Sequence, residues 1–354
     1  MDKKTEYKKI YKESFNDSNE FIDLFFNKVY DEEQAIMLDI DNIPVSALLL
    51  RQFKMNFHSS DLPLGYICAA ATARKMRSHG YMSELILETM RRAYDIGDFM
   101  LALIPANRAL YAYYDKFGFN TVFYIKEERY TSAHIFNNGE GAFDFSLAPT
   151  DDRVKKMFFI LNNLREFSVK LGEDDYEIMV EDNRLDGGQI VSAYNVAADS
   201  VDAIAIAVVD DDRILVRDIL AVTDIAREAV LGEVLKRFPG LPMTVVAIAD
   251  DSRVAPLQAH GMGRIINSEM TLKAIAASTP KLKASIRVYD HQLPQNNHIY
   301  TIDNGTVTVN DGFGGKLDLD VTQEVLTSII FSAPKMGTIF NLPTKRPFMS
   351  LMLE

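Results

Sequence analysis

The sequence predicts an α/β protein: two α/β units in tandem and a small α+β domain at the C-terminal end. Three observations predict this. Between Leu64 and Asn120 the apolar residues run in the order strand, tight turn, helix, strand, helix. A second block, entering its helix at Val222 to Glu228 and ending at His260-Gly261-Met262, repeats that order. After Ser278 an alternating hairpin pattern is followed by an amphipathic helix. A chain of 354 residues is too long for one core and suits two or three domains.

Taken in order, residues 1–17 are charged and polar and read as a loosely held arm. Phe21, Leu24, Phe25 and Val29 have helical spacing, so a helix is expected over 18–30. Ala35 to Leu38 and Val45 to Phe53 read as strands joined at Asp41-Asn42, with 54–63 as a loop before the strand Leu64 to Ala73. Met82, Leu85, Ile86, Met90 and Ala93 mark a helix, and Gly97 falls where a left-handed cap ends one. The strand Phe99 to Ile104 leads through Pro105-Ala106-Asn107 into a helix through Tyr114 that exits at Gly118-Phe119. Val122 to Ile125 and Ala142 to Leu147, with Asn138-Gly139 as a turn, are expected to close the first unit.

A boundary is expected at Ala148 to Asp152, where the helical pattern of Val154, Phe158, Leu161, Leu164 and Phe167 begins. Strands are expected at Tyr176 to Val180, Ile190 to Val196, Ala203 to Val209 and Ile214 to Val222. Asp210-Asp211-Asp212 reads as an acidic turn rather than a metal site, since no other clustered ligands accompany it. A helix from Ile225 to Phe238, a strand from Met243 to Ala249 and a short helix ending at Met262 complete the block. Beyond it, Ile299 to Val309 alternates around Asn304-Gly305, a strong hairpin signal. Leu317 to Leu319 reads as a strand, and Asp320 as the cap of a helix carrying Val321, Val325, Leu326, Ile329 and Ile330.

The net charge of −12 argues against a nucleic-acid partner, which needs clustered Lys and Arg; it either gathers cationic small molecules near the surface or simply keeps the chain soluble. No run reaches the length of a membrane span, and the first twenty residues are charged, unlike a secretory signal. One cysteine, Cys68, fits a reducing cytoplasm and, in its apolar run, a buried inert thiol.

The stretch from Leu64 to Asn120 suits the holding of a diphosphate. Backbone N–H groups at a helix start, with the helix dipole behind them, favour an anion. Gly80 lets the backbone approach phosphate oxygens, and Arg77 lies three residues earlier. Arg77-x-x-Gly80-x-Met82 resembles the Q/R-x-x-G-x-G/A acetyl-CoA loop of the GCN5-related N-acetyltransferases (GNAT), except that Met82 stands where the family has a small residue. With Tyr114-Asp-Lys-Phe-Gly-Phe119, the chain looks most like the Eis (enhanced intracellular survival) branch.

That resemblance implies two GNAT units and a sterol-carrier-like domain: 1–148 with the acetyl-CoA loop, 149–278 degenerate and without it, and 279–354 at the C-terminal end. It implies an acetyl-CoA-dependent N-acetyltransferase acting by direct transfer on an amine, such as a polycationic aminoglycoside or a protein lysine. Thr72, Ala73 and Arg74 would run beside the pantetheine arm. Arg77, Ser78, His79, Gly80, Tyr81, Met82 and Ser83 would form the diphosphate loop. Asn107 would contact the cofactor or cap the next helix. Tyr114 would be the general acid; Tyr111, on the same helix face, and Tyr113, turned about 100° away, are its competitors. Relatives of this branch are often multimers.

The second block lacks this chemistry: its helix entry, Val222 to Glu228, has no glycine, and Asp224, read as an N-cap, puts negative charge there. The strand Leu64 to Ala73 holds no carboxylate to serve as base. The apolar end Pro347 to Leu353 reads as docked rather than frayed. By resemblance it threads into the first unit's site, so the terminal carboxylate or the side chain of Glu354 would take the amine proton. A different reading is a non-catalytic GNAT-fold protein that holds an apolar ligand in its C-terminal domain.

Overall fold

The computed structural model describes residues 2–249, 256–312, 315–332 and 346–353. The expected N-terminal arm is instead a helix, α1 (Lys3–Ser14). Asp2 caps it, and Tyr7, Ile10 and Tyr11 are buried along one face while the lysines and glutamates face water. Helix α2 (Asn19–Leu24) begins at a Ser18 cap and runs on as a π-turn through Phe25–Val29. Strands β1 (Ala35–Ile40), β2 (Ile43–Phe57) and β3 (Ser60–Thr72) form an antiparallel meander. The expected loop at 54–63 is therefore a tight hairpin, turning at His58 and Ser59, both with positive φ. Helix α3 (Tyr81–Ile96), capped by left-handed Gly97, strand β4 (Met100–Leu103), helix α4 (Arg108–Asp115) and strand β5 (Asn120–Tyr130) follow as expected.

The middle of the chain holds β6 (Phe143–Asp144), α5 (Asp152–Leu164), β7 (Val169–Lys170), α6 (Glu173–Leu185), β8 (Gln189–Asn195), β9 (Ser200–Asp210), β10 (Arg213–Ala221), α7 (Asp224–Arg237), β11 (Met243–Ile248) and β12 (Gln258–Ile265). Three expectations are corrected here. The segment Tyr176 to Val180 is helical: Tyr176, Met179 and Asn183 bury one face of α6, and the Asp175 carboxylate accepts from the N–H of Gly172 at its start. His260-Gly261-Met262 lies in a strand. The segment Ala142 to Leu147 contributes only β6, which pairs with β8 at the far edge and does not close the first unit.

One sheet of twelve strands runs through both blocks in the order β1-β2-β3-β4-β12-β5-β11-β10-β9-β8-β6, with β7 on β2. Strand β12 enters between β4 and β5, where Gly261 permits close approach: a Cβ there would lie 2.7 Å from Met349 Cε and 3.1 Å from the Leu103 carbonyl oxygen. Helices α3 and α4 pack Leu85, Ile86, Met90, Tyr114 and Phe117 on one face of the first block. The opposite face carries α1, α2, α6 and the chain end.

The C-terminal part begins with α8 (Ser268–Ser278), which the sequence reading missed. Strands β13 (Ala284–Tyr289), β14 (Ile299–Asp303), β15 (Thr306–Asn310) and β16 (Leu319–Thr322) form a separate sheet, ordered β15-β14-β13-β16. Helix α9 (Gln323–Thr327) is capped by Thr322 rather than Asp320. Arg264 of β12 is fully buried against Asp290 and also donates to the Phe117 carbonyl, so this part is bolted to the exit of α4. No helix among the described residues is long and apolar enough to cross a membrane.

Candidate active site

The candidate site is a split in the sheet. Strands β3 and β4 run parallel and pair only from Leu64–Tyr66 against Met100–Ala102. Beyond Tyr66, β3 continues to Thr72, paired with β2 alone among the described residues. Its other edge is free to pair with an extended molecule. A bulge at Ala69 (φ 51°) bends the strand there, and the Tyr7 hydroxyl donates to the Ala69 carbonyl.

The strand end feeds the loop. Thr72 shares its hydroxyl with Ser46 at 2.7 Å, while its carbonyl accepts from Arg77 Nε at 3.1 Å. The N–H of Ala73 is held by the Val45 carbonyl, and that of Arg74 by Glu13. Arg77 also reaches Ser14 Oγ at 3.0 Å, so it ties the loop to α1. Ser78 and Gly80 have positive φ, and His79 folds back onto the Arg77 carbonyl and stacks on Tyr81. Gly80 caps α3 with no side-chain hydrogen bond, and a Cβ there would meet nothing within 4 Å. The N–H groups of Ser83 and Glu84 are bonded to the Gly80 carbonyl, which leaves those of Tyr81 and Met82 as the helix-start donors an anion would meet. Met82 packs against the core beneath α3, so its bulk is taken up inside. The Ser83 hydroxyl lies 3.2 Å from that of Tyr113.

Asn107 caps α4, its side chain accepting from Ala109 and Leu110. The three tyrosines of α4 have distinct fates. Tyr111 donates to the His260 carbonyl at 3.2 Å, and Tyr113 is bonded to Ser83. The Tyr114 hydroxyl has no hydrogen-bond partner among the described residues, and burial, reinforced by Tyr113, pushes the phenol up to about 12. It therefore stays protonated at neutral pH, a donor without an internal acceptor.

On the opposite face lies a cavity of about 660 Å³ lined by Asp17, Glu127, Asp182, Asp186, Arg213, Arg217 and His260, with Phe21, Met179 and the chain end Ser350 to Leu353. Its carboxylates outnumber its guanidinium groups. Burial raises the Asp182 carboxyl against the pull of Arg217, and burial holds His260 below its ordinary range, so the imidazole is neutral at pH 7. The chain end is docked: Met352 and Leu353 are buried, and the Tyr66 hydroxyl donates to the Leu353 carbonyl at 3.1 Å. Glu354 lies outside the described residues. Tyr66 and His260 were missed from the sequence. Tyr66 has no local signal, and His260 arrives on a strand from a distant part of the chain. Cys68 is buried, its thiol pushed up to about 12, as expected of an inert position. Among the described residues no group of three His, Cys, Asp or Glu side chains is placed to hold a metal.

The corresponding start in the second block differs. Strands β10 and β11 pair in parallel only at Ile214–Val216 against Met243–Val245, and α7 follows β10. There the Thr223 hydroxyl accepts from the Ala226 N–H, and Asp224 opens the helix, so the chain's own groups fill the anion position. Thr223, not Asp224, is the cap.

Residues 2–122 match the family model described as an acetyltransferase (GNAT) domain. The chain carries a GNAT acetyltransferase domain. No curated protein sequence matches the chain. Its fold is shared along almost the whole length with solved structures. A GCN5-related N-acetyltransferase from Anabaena variabilis is 15% identical, with a TM-score of 0.78, covering 98% of this chain and 96% of that one. A protein from Enterococcus faecalis V583 described as a probable N-acyltransferase is 16% identical, with a TM-score of 0.75 over 98% and 96%. Eis1 from Mycobacterium abscessus is 12% identical, with a TM-score of 0.70 over 98% and 96%. Residues 2–122 thus match a GNAT acetyltransferase domain, and the chain as a whole shares the fold of these structures, Eis1 among them.

Proposed function

We propose that the protein is an acetyl-CoA-dependent N-acetyltransferase that moves the acetyl group directly to an amine. The observation that carries this is the uncapped start of α3 at Gly80, set at the end of the free β3 edge with Tyr114 close in sequence on α4. Acetyl-CoA supplies the activated acetyl thioester. The loop from Arg77 to Ser83 would hold its diphosphate, and Thr72 to Arg74 would lie beside its arm. Because the N–H groups of Ala73 and Arg74 are already bonded, pairing would fall on the other edge groups of β3. Tyr114 would give its proton to the departing thiolate.

The acceptor would enter from the acidic cavity, whose excess of carboxylates favours a cationic amine, either on a polycationic small molecule such as an aminoglycoside or on a protein lysine. The chain end supports the terminal carboxylate of Glu354, or its side chain, as the proton acceptor, since Leu353 is buried against Tyr66 of β3. We assign residues 1–148 to the catalytic unit, 149–278 to a cofactor-free unit and 279–354 to a sterol-carrier-like domain, with the cytoplasm as the compartment. Calorimetric titration with acetyl-CoA, followed by a panel of amines assayed by free-thiol release, tests the proposal. Absence of binding at high micromolar acetyl-CoA refutes it.

A further inference from the structure

We infer that the second block, which holds no cofactor loop, seats the chain end in the first unit's site, and that Asp218 is the positioning residue. The inference rests on the acetyl-transfer reading above. Strand β10 runs past its pairing with β11 just as β3 runs past β4, and its free edge would offer the same slot. The slot is filled from within. Ile219 N–H donates to Asp218 Oδ1 at 2.6 Å, and the Ile219 carbonyl accepts from Arg165 at 2.8 Å. Arg165 grips both oxygens of Asp218, at 2.6 and 2.7 Å, and the carboxylate is buried.

This filled slot holds the chain end. Ser350 Oγ donates to Asp218 Oδ2 at 2.7 Å, and the Arg165 guanidinium lies 5.0 Å over the Phe348 ring. The backbone is pinned as well: Phe348 N–H donates to the Phe167 carbonyl at 2.8 Å, and Val169 N–H to the Phe348 carbonyl at 3.0 Å. Three residues beyond Ser350, the Leu353 carbonyl meets Tyr66 of β3. The chain turns between them at Leu351 (φ 58°), and a slip of one residue at Ser350, up to about 3.5 Å, carries the end out of hydrogen-bond reach of Tyr66. Asp218 therefore fixes where the Leu353 carbonyl meets Tyr66, acting through Ser350 and from a strand of the sheet.

The test uses the full chain and three variants: Ser350→Ala, which leaves the Arg165–Asp218 pair intact, Ser350→Thr, and Asp218→Asn. Tail seating is read by hydrogen exchange at the Phe348 amide and by release of the terminal residue with a carboxypeptidase. Chemistry is read as kcat and KM, and cofactor binding by calorimetry. Ser350→Ala is expected to speed exchange and cleavage about tenfold, the size of a lost charge-assisted hydrogen bond. It should lower kcat severalfold while the acetyl-CoA affinity and melting temperature stay put, and Ser350→Thr should restore both. Asp218→Asn should do the same more strongly. Tail protection unchanged in Ser350→Ala and Asp218→Asn overturns the inference, and so does lost protection with kcat intact. Failure of the acetyl-transfer reading shows separately, as no acetylation by the unaltered chain, and exchange and cleavage then decide the seat alone.

Discussion

Replacing Tyr114 by Phe removes one oxygen and, among the described residues, no hydrogen bond. The ring keeps its edge contacts with Tyr113 and Phe119, so stability should change by no more than about 0.5 kcal/mol. If the hydroxyl is the proton donor to the leaving thiolate, kcat should fall by about 10²–10⁴ with acetyl-CoA affinity unchanged. Because burial pushes the phenol up to about 12, the unaltered protein should show no alkaline limb from this group between pH 7 and 10. Tyr111→Phe loses the bond to the His260 carbonyl and should cost about 1 kcal/mol of stability, with kcat nearly intact. Both are measured by free-thiol release at saturating acetyl-CoA, beside thermal melts. A large kcat loss in Tyr111→Phe with normal turnover in Tyr114→Phe would refute the assignment.

Gly80→Asp puts a carboxylate where the diphosphate is proposed to sit; its Cβ meets no atom within 4 Å, while the positive φ of 86° adds about 1–2 kcal/mol of strain, so titration should show at least about 100-fold weaker acetyl-CoA binding in a protein that still melts cooperatively at a slightly lower temperature. Gly-Ser residues appended after Glu354 should leave acetyl-CoA binding intact and abolish acetylation; full activity there removes the terminal carboxylate as the base. Asp98 is buried with Oδ1 unpartnered, and burial, opposed by Gln52, raises its carboxyl to about 6. The folded state thus binds this proton more tightly than the unfolded chain, and the stability it contributes is lost as pH rises from about 4 through about 6, by about 3 kcal/mol at most. Urea midpoints of Asp98→Asn should be flatter across that window; parallel curves for the two proteins would show that Asp98 does not titrate there. Arg264→Met leaves Asp290 buried without its cation and should destabilise by about 3–5 kcal/mol in urea melts.

Residues 64–120 were legible because each element carries its own local signal. Apolar runs of strand length, helical spacing from Met82 to Ala93, left-handed Gly97 and the Asn107 cap all lie within a few residues of what they specify. Where the sequence misled, the deciding interaction lay elsewhere. Tyr-Glu-Ile-Met-Val at 176–180 alternates enough to pass for a strand, but α6 buries Tyr176, Ile178 and Met179 together. The His58-Ser59 turn lacks an Asn-Gly signature. Strand β12 carries two glycines, Gly261 and Gly263, that weaken its strand signal, and its slot between β4 and β5 makes it a strand. In the candidate site, Gly80 and the α4 tyrosines were visible as residue types, whereas Asp218, Tyr66 and His260 acquire their places through pairings that span more than a hundred positions.

The slot taken by β12 also bears on synthesis. When β5 has left the ribosome at Tyr130, β4 and β5 still lack the strand that joins them, which ends at Ile265. At bacterial-to-eukaryotic elongation rates that gap lasts roughly 7–27 s, during which the half-built sheet shows two open edges. A nascent chain of this design depends on protection over that interval. For the same reason the first 148 residues, expressed alone, would carry the whole GNAT-family match yet lack the strand that closes their own sheet.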